Sequence, residues 1–283
     1  MIWKWDYRDV IWDFERGRDL DHYNSWAIKK RNGRRRWIHS PRPRLKELQR
    51  LLNQELLPFP VHPASKAFLP GTNHIQAAQE HLEFMDGHGW LFKTDIKDFF
   101  GHVSDWLLRQ CNLDSTMIQM ITVPHPSRGR VLPQGGVTSP MASNLVMYRF
   151  DEIISSIAAG ANLHYTRYAD DIAISGRYNF GYRWAYDLLS KHLQPMGLFL
   201  SQSKTKMLSP GARQVYLGVV LNPEGLRVQA KSLDNLKARL NHLTHGRDHK
   251  DSVHGVLAYV KQVNPGQWQK MVRIRNKLNG AIL

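Results

Sequence analysis

The sequence holds one cysteine, Cys111, in 283 residues, so no disulfide can close within the chain. No Cys/His group has the spacing of a zinc finger. No apolar run approaches the roughly 18–20 residues needed to cross a bilayer. The first ten residues, MIWKWDYRDV, alternate aromatic and charged side chains and lack the apolar stretch of a signal peptide. These absences point to a reducing cytoplasm and away from a membrane. Acids are also scarce: 24 Asp and Glu stand against 39 Lys and Arg, a net charge of +15. Such an excess, when clustered, is the footprint of a polyanionic partner. No amphipathic basic helix opens the chain, which favours nucleic acid over a lipid surface. With 42% apolar and 22% charged residues the chain is neither disordered nor low in complexity, and it can bury a sizeable core.

Residues 1–27 are slightly acidic and carry seven aromatics, Trp3, Trp5, Tyr7, Trp12, Phe14, Tyr23 and Trp26, read as a helical cap packed on the first domain, with base stacking by one or two of the rings as the alternative. Residues 28–50 hold ten Lys/Arg and one acid, Glu47. There Asn32-Gly33 signals a hairpin between two basic strands. Pro41 and Pro43 are expected to bar a helix until Leu45, after which Leu45, Leu48, Leu51 and Leu52 recur at helical spacing. Further on, 74–87 reads as a helix, 90–95 as a short strand and 103–123 as helical. Residues 131–140 form a Gly/Pro-punctuated loop before a helix with Met141, Leu145, Tyr148, Ile153 and Ile154 mostly on one side. Residues 163–175 make two β-rich runs around a tight polar turn. A helix at 180–195 and a strand at 214–221 follow. From Ser232 the pattern is helical, with Leu233, Leu236, Leu240 and Leu243 on one face, Gly246 as a stop, and two more helices at about 251–262 and 266–279. Residues 225–283 carry eleven Lys/Arg against three acids.

Asp170 and Asp171 sit side by side on the polar turn. Adjacent carboxylates repel and lose hydration if partly buried. The pair is either an ordinary exposed turn or half of a cation site, since turns favour Asp. Asp95 closes the strand LFKTD, and Asp98 precedes Phe99-Phe100. A strand-end aspartate and a hairpin-turn pair can converge on two Mg²⁺ ions, the arrangement that stabilises attacking and leaving oxygens in phosphoryl transfer. In so basic a chain this suggests a nucleotidyltransferase.

Tyr168-Ala169-Asp170-Asp171 resembles the YxDD box of reverse transcriptases, and further blocks follow that family's order. RWIHSP at 36–41, with Leu45-Lys46 and Gln49-Arg50, resembles the first fingers block. Phe68, Gly71 and His81 resemble the second. Asp95 through Phe100 is similar to motif A, and Leu132 through Pro140 with Asn144-Leu145 to motif B. Gly197-Leu198 with Lys204-Thr205 resembles motif D, and Tyr216-Leu217-Gly218 the primer grip. The resemblance covers about 28–222. It implies an α+β right-hand polymerase: residues 1–27 an aromatic-rich extension, 28–222 fingers and palm built on an antiparallel sheet with helices, and 223–283 a helical thumb. The blocks look bacterial, similar to retron, group II intron and phage-defence enzymes. The retron Asn-Ala-x-x-His lacks its Asn at Ala77–His81, and Val-Thr-Gly lacks its Thr at Tyr216–Gly218. No room is seen for maturase, endonuclease or RNase H regions. The expectation is a small phage-defence-associated reverse transcriptase.

The resemblance implies that Asp95, Asp170 and Asp171 bind two Mg²⁺ and that Lys204 serves the leaving group, unless it is a solvated surface lysine. Lys29 and Arg36 are expected at the triphosphate, with Lys30, Arg34 and Arg35 equally basic neighbours. Gln134 is expected to touch the incoming nucleotide or template. Phe100, five residues after Asp95, matches the family's sugar gate against a ribose 2′-hydroxyl, while Phe99 takes a core role because neighbours on a strand point oppositely. Expected partners are a noncoding RNA template, a DNA or RNA primer with its cDNA, and dNTPs. Untemplated DNA synthesis, a retron enzyme making msDNA, and an RNA-binding scaffold are the competing readings.

Overall fold

The structure, a computed structural model, describes residues 6–29, 33, 35–244 and 248–280. Trp3, Trp5, Lys30, Asn32, Arg34 and Gly246, singled out above, lie outside these residues. Helix α1 (Arg8–Glu15) packs Val10 and Phe14 into the main core beside Tyr7 and Tyr23. The aromatic extension is therefore a packed cap in part, while Trp12 and Trp26 stay exposed. Strands β1 (Tyr23–Lys29) and β2 (Arg35–Pro41) form an antiparallel hairpin that starts inside that extension. Helix α2 (Pro43–Leu56) begins two residues earlier than expected. Proline is tolerated in a first turn because no intrahelical partner awaits its missing N–H. Leu45, Leu48, Leu52 and Leu56 are buried, and Leu51 instead faces out.

Helix α3 (His74–Phe84) is started by a reciprocal cap: Asn73 accepts from Ile75 and Gln76 N–H, and Gln76 accepts from Asn73 N–H. Strand β3 (Trp90–Asp95) follows. The expected helix over 103–123 is two short ones, α4 (Asp105–Gln110) and α5 (Ser115–Ile121). Asn112 in the left-handed region (φ 57°) breaks the run, and Asp114 caps the second helix. Strands β4 (Val123–His125) and β5 (Gly129–Val131) lead to the long helix α6 (Ser139–Gly160). The hairpin β6 (His164–Tyr168) and β7 (Asp171–Gly176) comes next, then helix α7 (Tyr182–Leu193) and strand β8 (Lys206–Leu208).

The central antiparallel sheet has the order β6-β7-β3-β8. Its period-two alternation separates two cores. Phe92, Ile172 and Ile174 face the main core with α6 and α7, and Leu91 and Ala173 face a second core with α3 and the C-terminal helices. The expected strand at 214–221 is instead two strands, β9 (Gln214–Tyr216) and β10 (Val219–Leu221), with β11 (Arg227–Val228) alongside. Leu217 (φ 49°) and Gly218 (φ 83°) both turn left-handed, which reverses the chain in two residues. Helices α8 (Ala230–Thr244), α9 (Lys250–Val263) and α10 (Pro265–Gly280) complete the chain. On α8, Leu236 and Leu240 are buried while Leu233 and Leu243 are half-buried. Helix α9 reaches the central sheet through rings: Tyr259 stacks on His74 at 5.7 Å, and His74 meets Tyr168 edge-on at 6.4 Å. Among the described residues no helix is long and apolar enough to cross a membrane.

Candidate active site

Strands β3 and β7 pair so that Asp95 stands opposite Asp171. Directly opposed residues of an antiparallel pair share a face, which brings both carboxylates to one end of the sheet. Asp170 lies in the turn between β6 and β7. That turn requires Ala169 at φ 56°, an unfavourable state for alanine. The peptide framework around it is tightly bonded. Ile96 N–H donates to Asp170 O at 2.9 Å, and Ser201 N–H to Asp95 O at 2.8 Å.

The turn is also held from beneath. Arg167 and Asp151 are both fully buried, and the guanidinium donates to the carboxylate at 2.6, 2.9 and 3.2 Å. A third branch donates to Ala169 O at 3.0 Å. Tyr165 O–H donates to Asp151 at 2.7 Å, and Ser65 Oγ and Asn144 Oδ1 complete the shell around Arg167. Burial works against the guanidinium's charge, but Asp151 outweighs it and raises the Arg167 pKa. Nothing in sequence spacing marks this pair. Its only trace is an Asp inside an apolar helix and an Arg inside a strand.

A cleft of about 1190 Å³ runs along this edge, lined by Arg36, Asp95, Phe100, Gln134, Asp170 and Lys204 among others. Asp171 lines an adjoining recess of about 270 Å³ with Lys93, Lys206 and Tyr216. Among the described residues given a role from sequence, only Lys29 lies in neither lining. It ends β1 opposite Arg35, which does line the cleft. Asp98 (φ 50°) turns away from the other acids toward Arg128, 3.6 Å distant. Phe99 is buried as expected, but through a tight turn and not through strand alternation. Strand β3 ends at Asp95, and Phe100 opens a short 3₁₀ turn. The loop LPQGG is clamped to the β1–β2 hairpin by His39 N–H donating to Gln134 O at 2.8 Å. At Gly135 (φ 106°) a Cβ would sit 3.1 Å from His39 O, so the position demands glycine.

Burial dominates the electrostatics of Asp170 and Asp171, outweighing the nearby cations. Desolvation, then the neighbouring Asp170 and Asp95, raise the Asp171 carboxyl to about 6 even though it opens onto the recess. Asp170 is raised for the same first reason. Asp95 is buried, pairs through one oxygen with Lys204, and leaves Oδ1 without a partner. Burial tends to lower the Lys204 pKa, but its bond to Asp95 and the charges of all three aspartates outweigh that and raise it. Among the described residues no three His, Cys, Asp or Glu side chains form a ready-made metal cage. Mg²⁺ takes one or two carboxylates and completes its shell with water and phosphate oxygens. The orphaned Oδ1 and the raised carboxyls fit a divalent cation.

Residues 28–221 match the reverse transcriptase (RNA-dependent DNA polymerase) family. The chain belongs to that family. It is 30% identical over 279 residues to the retron Mx65 reverse transcriptase of Myxococcus xanthus, covering 90% of this chain and 64% of that protein. Against the retron Mx162 enzyme of the same organism it is 29% identical, covering 87% and 59%. Against the retron Ec86 enzyme of Escherichia coli it is 24% identical, covering 90% and 81%. The chain thus spans less than two thirds of the two Myxococcus relatives. In fold it is similar to apo telomerase from Candida tropicalis, with TM-score 0.55, 12% identity, and coverage of 90% of this chain and 58% of that one. Telomerase from Candida albicans with the TWJ fragment of telomeric RNA gives TM-score 0.53, 13% identity, and coverage of 96% and 59%. The α+β architecture is the right-hand fold of reverse transcriptases.

Proposed function

We propose that the chain is an RNA-directed DNA polymerase that adds dNTPs to a primer hydroxyl with two Mg²⁺ ions, copying a dedicated noncoding RNA in bacterial antiphage defence and working in the cytoplasm. One observation carries the catalytic part: Asp95 at the end of β3 and Asp170 in the β6–β7 turn line one cleft with Arg36 and Lys204, and Asp171 stands opposite Asp95 on the adjoining recess. In this reading residues 28–222 are fingers and palm, 223–283 the thumb and 1–27 an extension. Asp95, Asp170 and Asp171 hold the metals. Bound divalent ions would make the primer hydroxyl a better nucleophile and neutralise the leaving pyrophosphate. Lys204, paired with Asp95, would keep its proton at Nζ and offer it to the leaving group. Arg36 and Lys29 grip the triphosphate, with Arg36 as a bidentate fork. Gln134, which lines the cleft, touches the incoming nucleotide or template. Phe100 bars a 2′-hydroxyl. The basic α8–α10 unit follows the template–primer duplex through its phosphates.

Similarity to retron enzymes over about nine tenths of the chain favours a second reading, a retron-type enzyme making msDNA. Labelled dNTP incorporation on a primed RNA template, with and without Mg²⁺ and with and without RNA, tests the proposal. Synthesis that needs both supports templated polymerisation. Synthesis without RNA would replace it with the untemplated activity. No incorporation under any condition would leave an RNA-binding scaffold.

A further inference from the structure

Phe68 holds a backbone conformation that a bulky residue avoids. Its φ is 66°, in the left-handed region that costs L-residues a clash between Cβ and carbonyl. Such a state persists only where the surroundings dictate it, and it concentrates at functional sites. Here the loop is fastened on both sides of Phe68. Lys66 N–H donates to Arg167 O at 2.8 Å, and Asn144 Nδ2 donates to Ala67 O at 3.0 Å. Thr72 Oγ1 donates toward Lys66 O at 3.0 Å and Leu69 O at 3.1 Å. Relaxing Phe68 would break bonds that anchor the loop to α6 and β6.

The strain does not serve core burial. Ala67 is fully buried and Leu69 packs on the main core, but the Phe68 ring between them is 44% exposed. What the ring does touch is Phe100, with centroids 6.4 Å apart and planes tilted 41°. Phe99 lies on Phe100 as well, at 5.6 Å. Phe100 is thus held between a buried phenylalanine and a strained, exposed one, and its own surface lines the cleft that holds Asp95 and Asp170. A hydrophobic wall rejects an added hydroxyl only modestly, and only if the wall stays in place. Without Phe68, the half-buried Phe100 ring would pack on Phe99 alone and could swing aside to admit a ribose.

We propose that Phe68 is a second specificity-determining residue, a wedge that fixes the Phe100 ring so that ribonucleotides are excluded by the pair and not by Phe100 alone. This rests on the reading of Phe100 as the sugar gate. The reward for the left-handed backbone is then selectivity, which explains why a phenylalanine occupies a position that glycine would fill without strain.

The test measures kcat/KM for dCTP and CTP on one primed RNA template. The set comprises wild type, Phe100→Val, Phe68→Gly, Phe68→Tyr, and Phe68→Gly combined with Phe100→Val. Phe68→Gly removes the ring and the strain together, so folding is preserved. It should lower discrimination by about tenfold to a hundredfold, through a gain in CTP use with dCTP use nearly unchanged. Phe68→Tyr, which keeps the ring, should discriminate like wild type. The double variant should be no less selective than Phe100→Val alone, since a wedge has nothing to fix once the gate is gone. If Phe100→Val lowers discrimination but Phe68→Gly does not, the wedge is refuted while the gate stands. Independent, multiplying effects of the two changes would also refute it. If Phe100→Val leaves discrimination intact, the gate reading itself falls and this inference with it.

Discussion

The buried Arg167–Asp151 pair should be the most sensitive point of the catalytic turn, and its two contributions can be separated. Replacing Asp151 by leucine strands a guanidinium with no exposure, at a cost of about 3–5 kcal/mol. With a urea dependence of about 2–3 kcal/mol per molar, the unfolding midpoint should fall by roughly 1–2.5 M. Adding Arg167→Met removes the uncompensated charge, and replacing a buried ion pair with apolar groups is often neutral or better. Most of the midpoint should return; the remaining deficit is the Tyr165 hydroxyl, which loses its acceptor at about 1–3 kcal/mol. Polymerisation should not return with it. The bond from Arg167 to Ala169 O is still gone, and among the described residues no other side chain bonds Ala169 in its left-handed turn. Urea denaturation followed by circular dichroism, alongside dNTP incorporation, gives both readings. A double variant with full activity would refute the claim that Arg167 shapes the turn. A midpoint unmoved by Asp151→Leu would refute the claim that the pair is dry.

Asp170→Ala or Asp171→Ala should abolish synthesis, as should a chelator, while RNA affinity holds or rises because an acid has left a basic cleft; near-normal synthesis by Asp170→Ala would sink the metal assignment. His81 is fully buried and bonded to Ser175 and Thr166, and burial holds its pKa well below 6.5, so its contribution to stability is complete above that pH and is lost as pH falls below it. Denaturation midpoints between pH 8 and 5 should therefore fall more steeply for wild type than for His81→Gln; comparing the two cancels Asp171, whose raised carboxyl acts in the opposite sense, and equal slopes would refute the account. The protein should carry a specific structured RNA through purification and need it for activity, since residues 28–50 and 225–283 both present large cationic excesses. Sequencing the RNA kept after a salt wash checks this, and a random cellular pool would count against a dedicated partner.

What could be read from sequence followed from chemistry written in residue types. Asp95 at a strand end and Asp170-Asp171 on a turn suffice to predict a shared site, because strand pairing leaves few ways to arrange them. The basic hairpin and the leucine faces of α2 and α8 were legible for the same reason. What escaped depended on backbone angles or distant partners. Leu217 gives no hint that it will turn left-handed, so β9 and β10 read as one strand. Asn112 breaks a helix that apolar spacing alone would continue. Lys29 and Arg35 are indistinguishable in a basic run, and they stand opposite each other in the hairpin, so only the position of the folded hairpin against the palm shows that Arg35 lines the cleft. Phe68 reads as an ordinary aromatic until its φ is known, and Arg167 with Asp151 until helix and strand are packed.

The position of β3 at the centre of its sheet has a consequence for how the protein is made. Both of its neighbours, β7 and β8, are encoded later, and the ion pair from Asp95 to Lys204 spans 109 residues. At roughly 5–20 residues per second, about 4–16 s separate the synthesis of Asp95 from that of Gly176. Throughout that interval WLFKTD is a strand with two bare edges, open to pairing with any other extended segment. The gain from closing so long a loop comes only at the end, when β7 arrives and the carboxylates meet. On the proposed function, a growing chain is therefore silent until this sheet has closed. The aspartates proposed to hold the metals are also a late checkpoint on whether the chain has folded.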